Sequence, residues 1–189
     1  MSTAQSGRLT GRTIAILATD GVEEVELVEP RRAVENEGAT VRLVSLESGE
    51  IQAMKKDVYA AGKHPVDQVV AEASVDDYDG LILPGGTTNP DHLRQDEKAV
   101  AFVRDFVTSG RPVGVICHGP WTLVEADVVR DRTLTSYPSV RTDIRNAGGT
   151  VVDKEVVIDK NLVSSRNPDD LPAFCSAIID VFAESETSK

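Results

Sequence analysis

The sequence predicts an α/β fold, with a mainly parallel sheet covered by helices on both faces. Two observations carry that expectation. Strand-like and helix-like segments alternate along the chain, and several strand-like runs, such as IAIL, LIL and VGVI, are solidly apolar. A third observation sets the domain count. The 189 residues contain no repeat, low-complexity tract or linker, and that length suits one domain with a full core. Residues 1–10 read as a flexible lead-in, with MSTAQSG small and polar, and residues 11–189 as the single domain.

The elements follow in order. Ile14, Ile16 and Leu17 mark a first buried strand, and a helical segment follows over Glu23 to Glu37, closed by Gly38. Pro30 predicts that this helix is kinked or preceded by a short turn. VRLVSL (41–46) is a second strand, and 47–77 reads as short strands or an excursion from the main sheet. GLILPGG (80–86) is a buried strand ending in a glycine turn. Ala99, Phe102, Val103, Phe106 and Val107 then give one apolar helical face, stopped by Gly110. PVGVI is the next strand and PWTLVEADVV the next helix. TLTSY, a helix near SVRTDIRNAG and a hairpin over EVVIDKNLVSS, turning at Asp159–Asn161, complete the sheet before a final amphipathic helix.

Composition narrows the function. The formal net charge of −11 is spread along the chain, which disfavours charge-driven docking to nucleic acid or anionic membrane and fits simple solubility. No run approaches the roughly 18 apolar residues of a membrane span, and no signal-peptide core is visible. Two cysteines make no disulfide framework, which suits a reducing cytoplasm. Neither stands in a CxxC pair or a Cys/His cluster of metal-ligand spacing, so no metal site is expected.

The stretch VGVICHGPW (113–121) holds the chemistry. Cys117 falls where a parallel strand stops and a helix begins near Pro120, the place where open α/β sheets build their sites. A nucleophile on such an elbow projects free of the sheet on strained backbone. The helix N-terminus is expected to lower the thiol pKa. Backbone N–H groups of His118 and of the Gly85–Gly86 turn are candidates to hold an oxyanion. Cys175, among Leu171, Phe174, Ile178 and Phe182, reads as a packed thiol.

The run VICHGPWTLVEADVVRDRTLTSYPSVRTDIRNAG resembles the ThiJ/PfpI superfamily, in particular its PfpI-like intracellular protease and general stress protein branch. DGVEEVELVEP (20–30), LILPGG followed by Pro90-Asp91, and VVIDKNLVSSRNPDDLPAF (156–174) match the same branch in order. The resemblance implies a flavodoxin-like α/β sandwich with Cys117 as nucleophile. It makes Glu26 the glutamate that hydrogen-bonds the thiol, Glu23 a second acid lining the pocket, and His118 the histidine after the nucleophile. It also implies that Asp91, standing where such proteins usually carry Glu, reaches the histidine of a neighbouring subunit. The assembly would then be a homo-oligomer, a dimer or a hexamer built of dimers. Tyr137 matches a tyrosine at the pocket mouth.

The residues themselves set conditions on those roles. A charged Glu26 would repel a thiolate, whereas a carboxyl kept protonated by burial would donate to sulfur. His118 is expected to diverge from Cys117, since adjacent side chains on a tight turn often do. Trp121 and Tyr137 read as packing residues that also wall the pocket. His64 and His92 read as exposed. With no histidine after His118, the Cys–His–Glu arrangement of glutamine amidotransferases is absent. The resemblance thus implies a cytosolic, stress-protective cysteine-nucleophile enzyme acting on reactive carbonyls or their adducts, glyoxalase- or deglycase-like, a chemistry that needs no metal or organic cofactor. The alternatives are a cysteine peptidase on peptide substrates, and a redox sensor or holdase working through oxidation of Cys117.

Overall fold

The computed structural model describes residues 7–185. Its first strand, β1 (Thr13–Leu17), sends Ile14 and Ile16 into one apolar cluster and Ala15 and Leu17 into another. A strand buried on both faces needs this double-sided apolar pattern. The chain continues through α1 (Glu24–Asn36), β2 (Thr40–Ser45), β3 (Glu50–Lys55), β4 (Tyr59–Pro65) and β5 (Gln68–Val69). Next come β6 (Gly80–Leu83), α2 (Thr88–Leu93), α3 (Glu97–Thr108), β7 (Val113–Ile116) and α4 (Pro120–Glu125). The last elements are β8 (Thr133–Leu134), α5 (Arg141–Asn146), β9 (Thr150–Val151), β10 (Val157–Asp159), β11 (Leu162–Ser165) and α6 (Leu171–Glu184).

Seven strands form the main sheet in the order β10-β11-β7-β6-β1-β2-β5. Every neighbouring pair is parallel except β10 with β11, the hairpin expected around Lys160. Helices α1 and α6 cover one face through Leu27, Val34, Phe174, Ile178 and Phe182. Phe102, Phe106, Leu123 and Ile144 from α3, α4 and α5 cover the other. The sandwich is therefore flavodoxin-like, as expected. The chain first grows from β1 towards β2 and β5, then crosses back to add β6 and β7. The carboxyl ends of β1, β6 and β7 meet at that reversal, where an open sheet leaves a crevice.

The structure departs from expectation in several places. Helix α1 runs through Pro30 as one element rather than as a turn followed by a helix, with the proline buried. A proline costs a helix one hydrogen bond, and packing of α1 on α6 outweighs that loss. TLTSY contributes only β8, which pairs with β9 in a small parallel sheet of its own instead of joining the main one. Helix α4 ends at Glu125, four residues before PWTLVEADVV does, and Asp127 soon follows in a left-handed conformation (φ 55°). In the excursion, β3 and β4 form a separate antiparallel hairpin, and β5 alone returns to the sheet edge. Residues 7–10, assigned to the lead-in, enter a turn in which Leu9 is buried and its N–H donates to the Glu37 carbonyl at 2.8 Å. The rest of the expected lead-in lies outside the described residues. No helix among the described residues is long and apolar enough to cross a membrane.

Candidate active site

Strand β7 stops at Ile116, and the next residue, Cys117, holds φ at +62°. A non-glycine residue in the left-handed region is strained by its own Cβ, and the strain expected of the elbow is present. Several bonds hold the turn. The Gly119 N–H donates to the Ile116 carbonyl at 3.0 Å and the Cys117 N–H to the Ser165 carbonyl at 3.1 Å. The Tyr137 N–H donates to the Cys117 carbonyl at 2.9 Å. The elbow is thereby tied to the ends of two other segments.

The thiol opens onto a cavity of about 400 Å³ lined by Glu23, Glu26, Asp57, Cys117, His118 and Tyr137, among others. Glu26 comes from the first turn of α1 and is fully buried. Its Oε2 accepts the Gly85 N–H at 2.7 Å, while Oε1 has no hydrogen bond of regular geometry among the described residues. Burial drives its carboxyl up to about 8, outweighing the Gly85 bond and the neighbouring thiol, both of which favour the charged form. At neutral pH Glu26 therefore holds its proton and can donate to the sulfur beside it.

This pair corrects the expected low thiol pKa. Burial pushes the Cys117 thiol up, and a negative charge on Glu26 would push it further. The N–H groups of His118 and Gly86 act in the opposite direction by donating to sulfur. The short α4, six residues long, adds too little dipole to reverse the burial effect. A protonated Glu26 removes the repulsion, and the remaining obstacle is desolvation.

The oxyanion assignment is also corrected in part. Gly85 spends its N–H on Glu26, so the free donors at the sulfur are those of Gly86 and His118. Glycine is required at both turn positions. A Cβ on Gly85 would lie 2.6 Å from Glu26 Oε2 and 2.7 Å from the Cys117 Cβ. Gly86 has φ +79°, and a Cβ there would meet the Gly21 carbonyl oxygen at 2.3 Å.

His118 does not diverge from its neighbour. Its Nδ1 lies 3.1 Å from Cys117 Sγ, and its Nε2 lies 3.1 Å from Ser139 Oγ. Burial lowers its pKa, so the imidazole is neutral at pH 7. Tyr137 stacks on the ring at 4.5 Å between centroids and lines the cavity. Trp121 does not line it. The indole packs edge-on against His118 at 5.2 Å from behind, with its N–H donating to Asp143 at 2.8 Å.

Asp91 sits exposed on α2 and accepts a bond from Gln95 at 3.2 Å, outside the Cys117 cavity. Within one chain it does not meet His118, both of whose ring nitrogens already face partners from the same chain. Asn89, two residues before Asp91, is fully buried. It accepts the Thr19 N–H at 2.8 Å and donates to the Pro84 and Gly85 carbonyls at 3.1 and 3.0 Å. His92 is exposed, whereas His64 is half-buried against Glu24 at 3.2 Å. Cys175 is partly buried on α6, and burial pushes its thiol up to about 11.

Two pocket residues had no signal in the sequence. Lys56 and Asp57, at the tip of the β3–β4 hairpin, both adopt left-handed backbone and line the cavity. Asp57 Oδ1 accepts the Thr87 N–H at 2.8 Å and its hydroxyl at 2.9 Å. The Lys56 N–H donates to Glu23 Oε2 at 2.8 Å. Those bonds hold the tip over the site. Glu23 lines the same cavity, and burial raises its carboxyl pKa.

The sequence matches the DJ-1/PfpI family over residues 12–181. It is 43% identical over 164 residues to protein/nucleic acid deglycase 2 of Escherichia coli strain K12, covering 86% of this chain and 93% of that protein. It is 40% identical over 170 residues to general stress protein 18 of Bacillus subtilis strain 168, covering 87% and 94%. Among solved structures, a two-domain protein from Anabaena variabilis with DJ-1/ThiJ/PfpI-like and ferritin-like domains superposes with a TM-score of 0.84 at 31% identity. That match covers 89% of this chain and 47% of the other.

Proposed function

The chain belongs to the DJ-1/PfpI family, and from that premise we propose that it is a cytoplasmic cysteine-nucleophile deglycase acting on adducts of small dicarbonyls with amines or thiols. The observation that carries this reading is the convergence on one sulfur of a protonated carboxyl, a neutral imidazole nitrogen at 3.1 Å and two backbone N–H groups. Two cysteines left free suit a reducing compartment.

In this reading the Cys117 S–H proton passes to His118 Nδ1 as sulfur attacks the adduct carbon that carries the hydroxyl. The C–S bond forms, the C–N bond breaks, and the departing amine takes the proton from His118. The N–H groups of Gly86 and His118 hold the hydroxyl oxygen of the resulting hemithioacetal. Glu26, with a pKa of about 8, can release and recover a proton near neutrality. It gives its proton to the neighbouring carbonyl oxygen as it takes the carbon-bound proton. It then passes that proton to the former carbonyl carbon and recovers the proton of the first hydroxyl, which turns the hemithioacetal into a thioester. Water then cleaves the C–S bond, which releases a 2-hydroxy acid and restores the thiol. The cavity, about 400 Å³, suits a small adduct on one side chain.

The test uses a methylglyoxal adduct of N-acetyl-lysine, free methylglyoxal and a fluorogenic peptide, each with wild type and Cys117→Ser. Release of free amine and lactate by wild type alone is the expected result. Cleavage of the peptide with no action on the adduct would replace this reading with the peptidase one. Equal rates for the two proteins would remove Cys117 from the chemistry.

A further inference from the structure

We infer that Ser139 is the positioning residue that holds the His118 imidazole ready to take the Cys117 proton. The inference rests on the reading of Cys117 as nucleophile.

A histidine beside a thiol is useful only if its ring plane and its proton are both fixed. The plane is fixed by packing. Tyr137 stacks on the ring with 24° between planes, and Trp121 meets it edge-on. Both rings are themselves anchored, Tyr137 through its N–H to the Cys117 carbonyl and Trp121 through Asp143 on α5. Neither contact says which nitrogen carries the hydrogen. Stacking is indifferent to that.

The Ser139 hydroxyl suits the tautomer that the transfer needs. For Nδ1 to accept the thiol proton, the neutral ring must carry its hydrogen on Nε2, and that hydrogen needs an acceptor. Ser139 Oγ, 3.1 Å from Nε2, is that acceptor. Once Nδ1 is protonated, the same N–H points at the same oxygen, so the serine also stabilises the imidazolium that pairs with the thiolate. The hydroxyl sits in the one-turn segment Pro138–Val140, whose Val140 is fully buried and whose N–H donates to the Tyr137 carbonyl at 3.0 Å. The titratable groups that act on the ring are Cys117, the stacked Tyr137 and, at longer range, Asp57. Among them only Cys117 makes a direct hydrogen bond with a ring nitrogen, and it occupies Nδ1. Among the described residues, no acid does for Nε2 what Ser139 does.

The experiment compares Ser139→Ala and Ser139→Thr with wild type in three readouts. The first is kcat and KM on the lysine adduct. The second is the His118 titration followed by NMR, and the third is the rate of Cys117 alkylation by iodoacetamide at pH 7. For Ser139→Ala we expect kcat to fall about tenfold with KM within twofold, because the serine does not line the cavity. We also expect a lower His118 midpoint and slower alkylation, with Thr restoring all three. A His118 midpoint and alkylation rate unmoved by Ala would overturn the assignment, as would a loss of kcat that Thr fails to rescue. If wild type leaves the adduct untouched, the deglycase reading falls, while the titration and the alkylation still decide the role of Ser139.

Discussion

Cys117 and Cys175 are two thiols that burial treats alike. Both have a raised pKa, and neither is a thiolate at rest. Cys175 sits partly buried on a regular helix beside Glu29 and Arg32 of α1, with no hydrogen bond to its sulfur among the described residues. Cys117 sits on left-handed backbone with two N–H groups, a carboxyl and an imidazole around it. The difference teaches that the resting pKa is a poor guide to which thiol reacts. Partners that can move a proton while sulfur attacks matter more than how much thiolate is present beforehand.

The largest expected effect is on turnover. Cys117→Ser should lower adduct hydrolysis by about a thousandfold or more, because a hydroxyl is the poorer nucleophile in a site built around sulfur. Cys175→Ser should stay within twofold. Steady-state rates of the two variants check the contrast, and a large loss at Cys175 would erase it.

Glu26→Gln comes next. The amide keeps the Gly85 contact through its oxygen and can donate to sulfur through its NH₂, yet it cannot shuttle a proton. We expect kcat to fall by about ten- to a hundredfold, with Cys117 alkylation changed far less. Equal losses in both measurements would mean that Glu26 serves only to form the thiolate.

The smallest effect is on stability against pH. Glu26 binds its proton up to about pH 8 in the folded state, but releases it near pH 4.5 when unfolded. Between those values the folded state holds the extra proton, so this group makes stability fall as pH rises, by up to about 1.4 kcal/mol per unit. His118, with its lowered folded pKa, acts in the opposite sense below its unfolded value of 6.5 and masks part of that slope. The clear window is therefore from about 6.5 to 8. Urea melts across it should show wild type losing about 2 kcal/mol and Glu26→Gln losing much less. Parallel slopes would show that Glu26 is charged in the folded protein.

Much of this contrast could be read in the sequence. The apolar strands, the Gly85–Gly86 turn and the boundary position of Cys117 follow from residue type and order, and so does the packed setting of Cys175. Local rules failed where the deciding partner is remote in sequence. Ser139 lies 21 residues beyond His118, and the bonds of Asn89 depend on the ends of β1 and β6 meeting. Asp57 reaches the site because two consecutive residues take left-handed backbone without a glycine to announce it. The divergence expected of Cys117 and His118 failed for a related reason. A right-handed turn would separate those side chains, whereas φ of +62° swings the sulfur towards Nδ1.

That single backbone angle also divides two goals that a protein engineer would wish to join. Glycine relieves a left-handed position by roughly 1 kcal/mol or more relative to other residues. Judged by folding alone, the preferred residue at 117 is therefore one with no side chain at all. The scaffold keeps its nucleophile against the conformational preference of its own backbone. The most stable version of this chain and the most active one are different sequences, and they part company at the tip of β7.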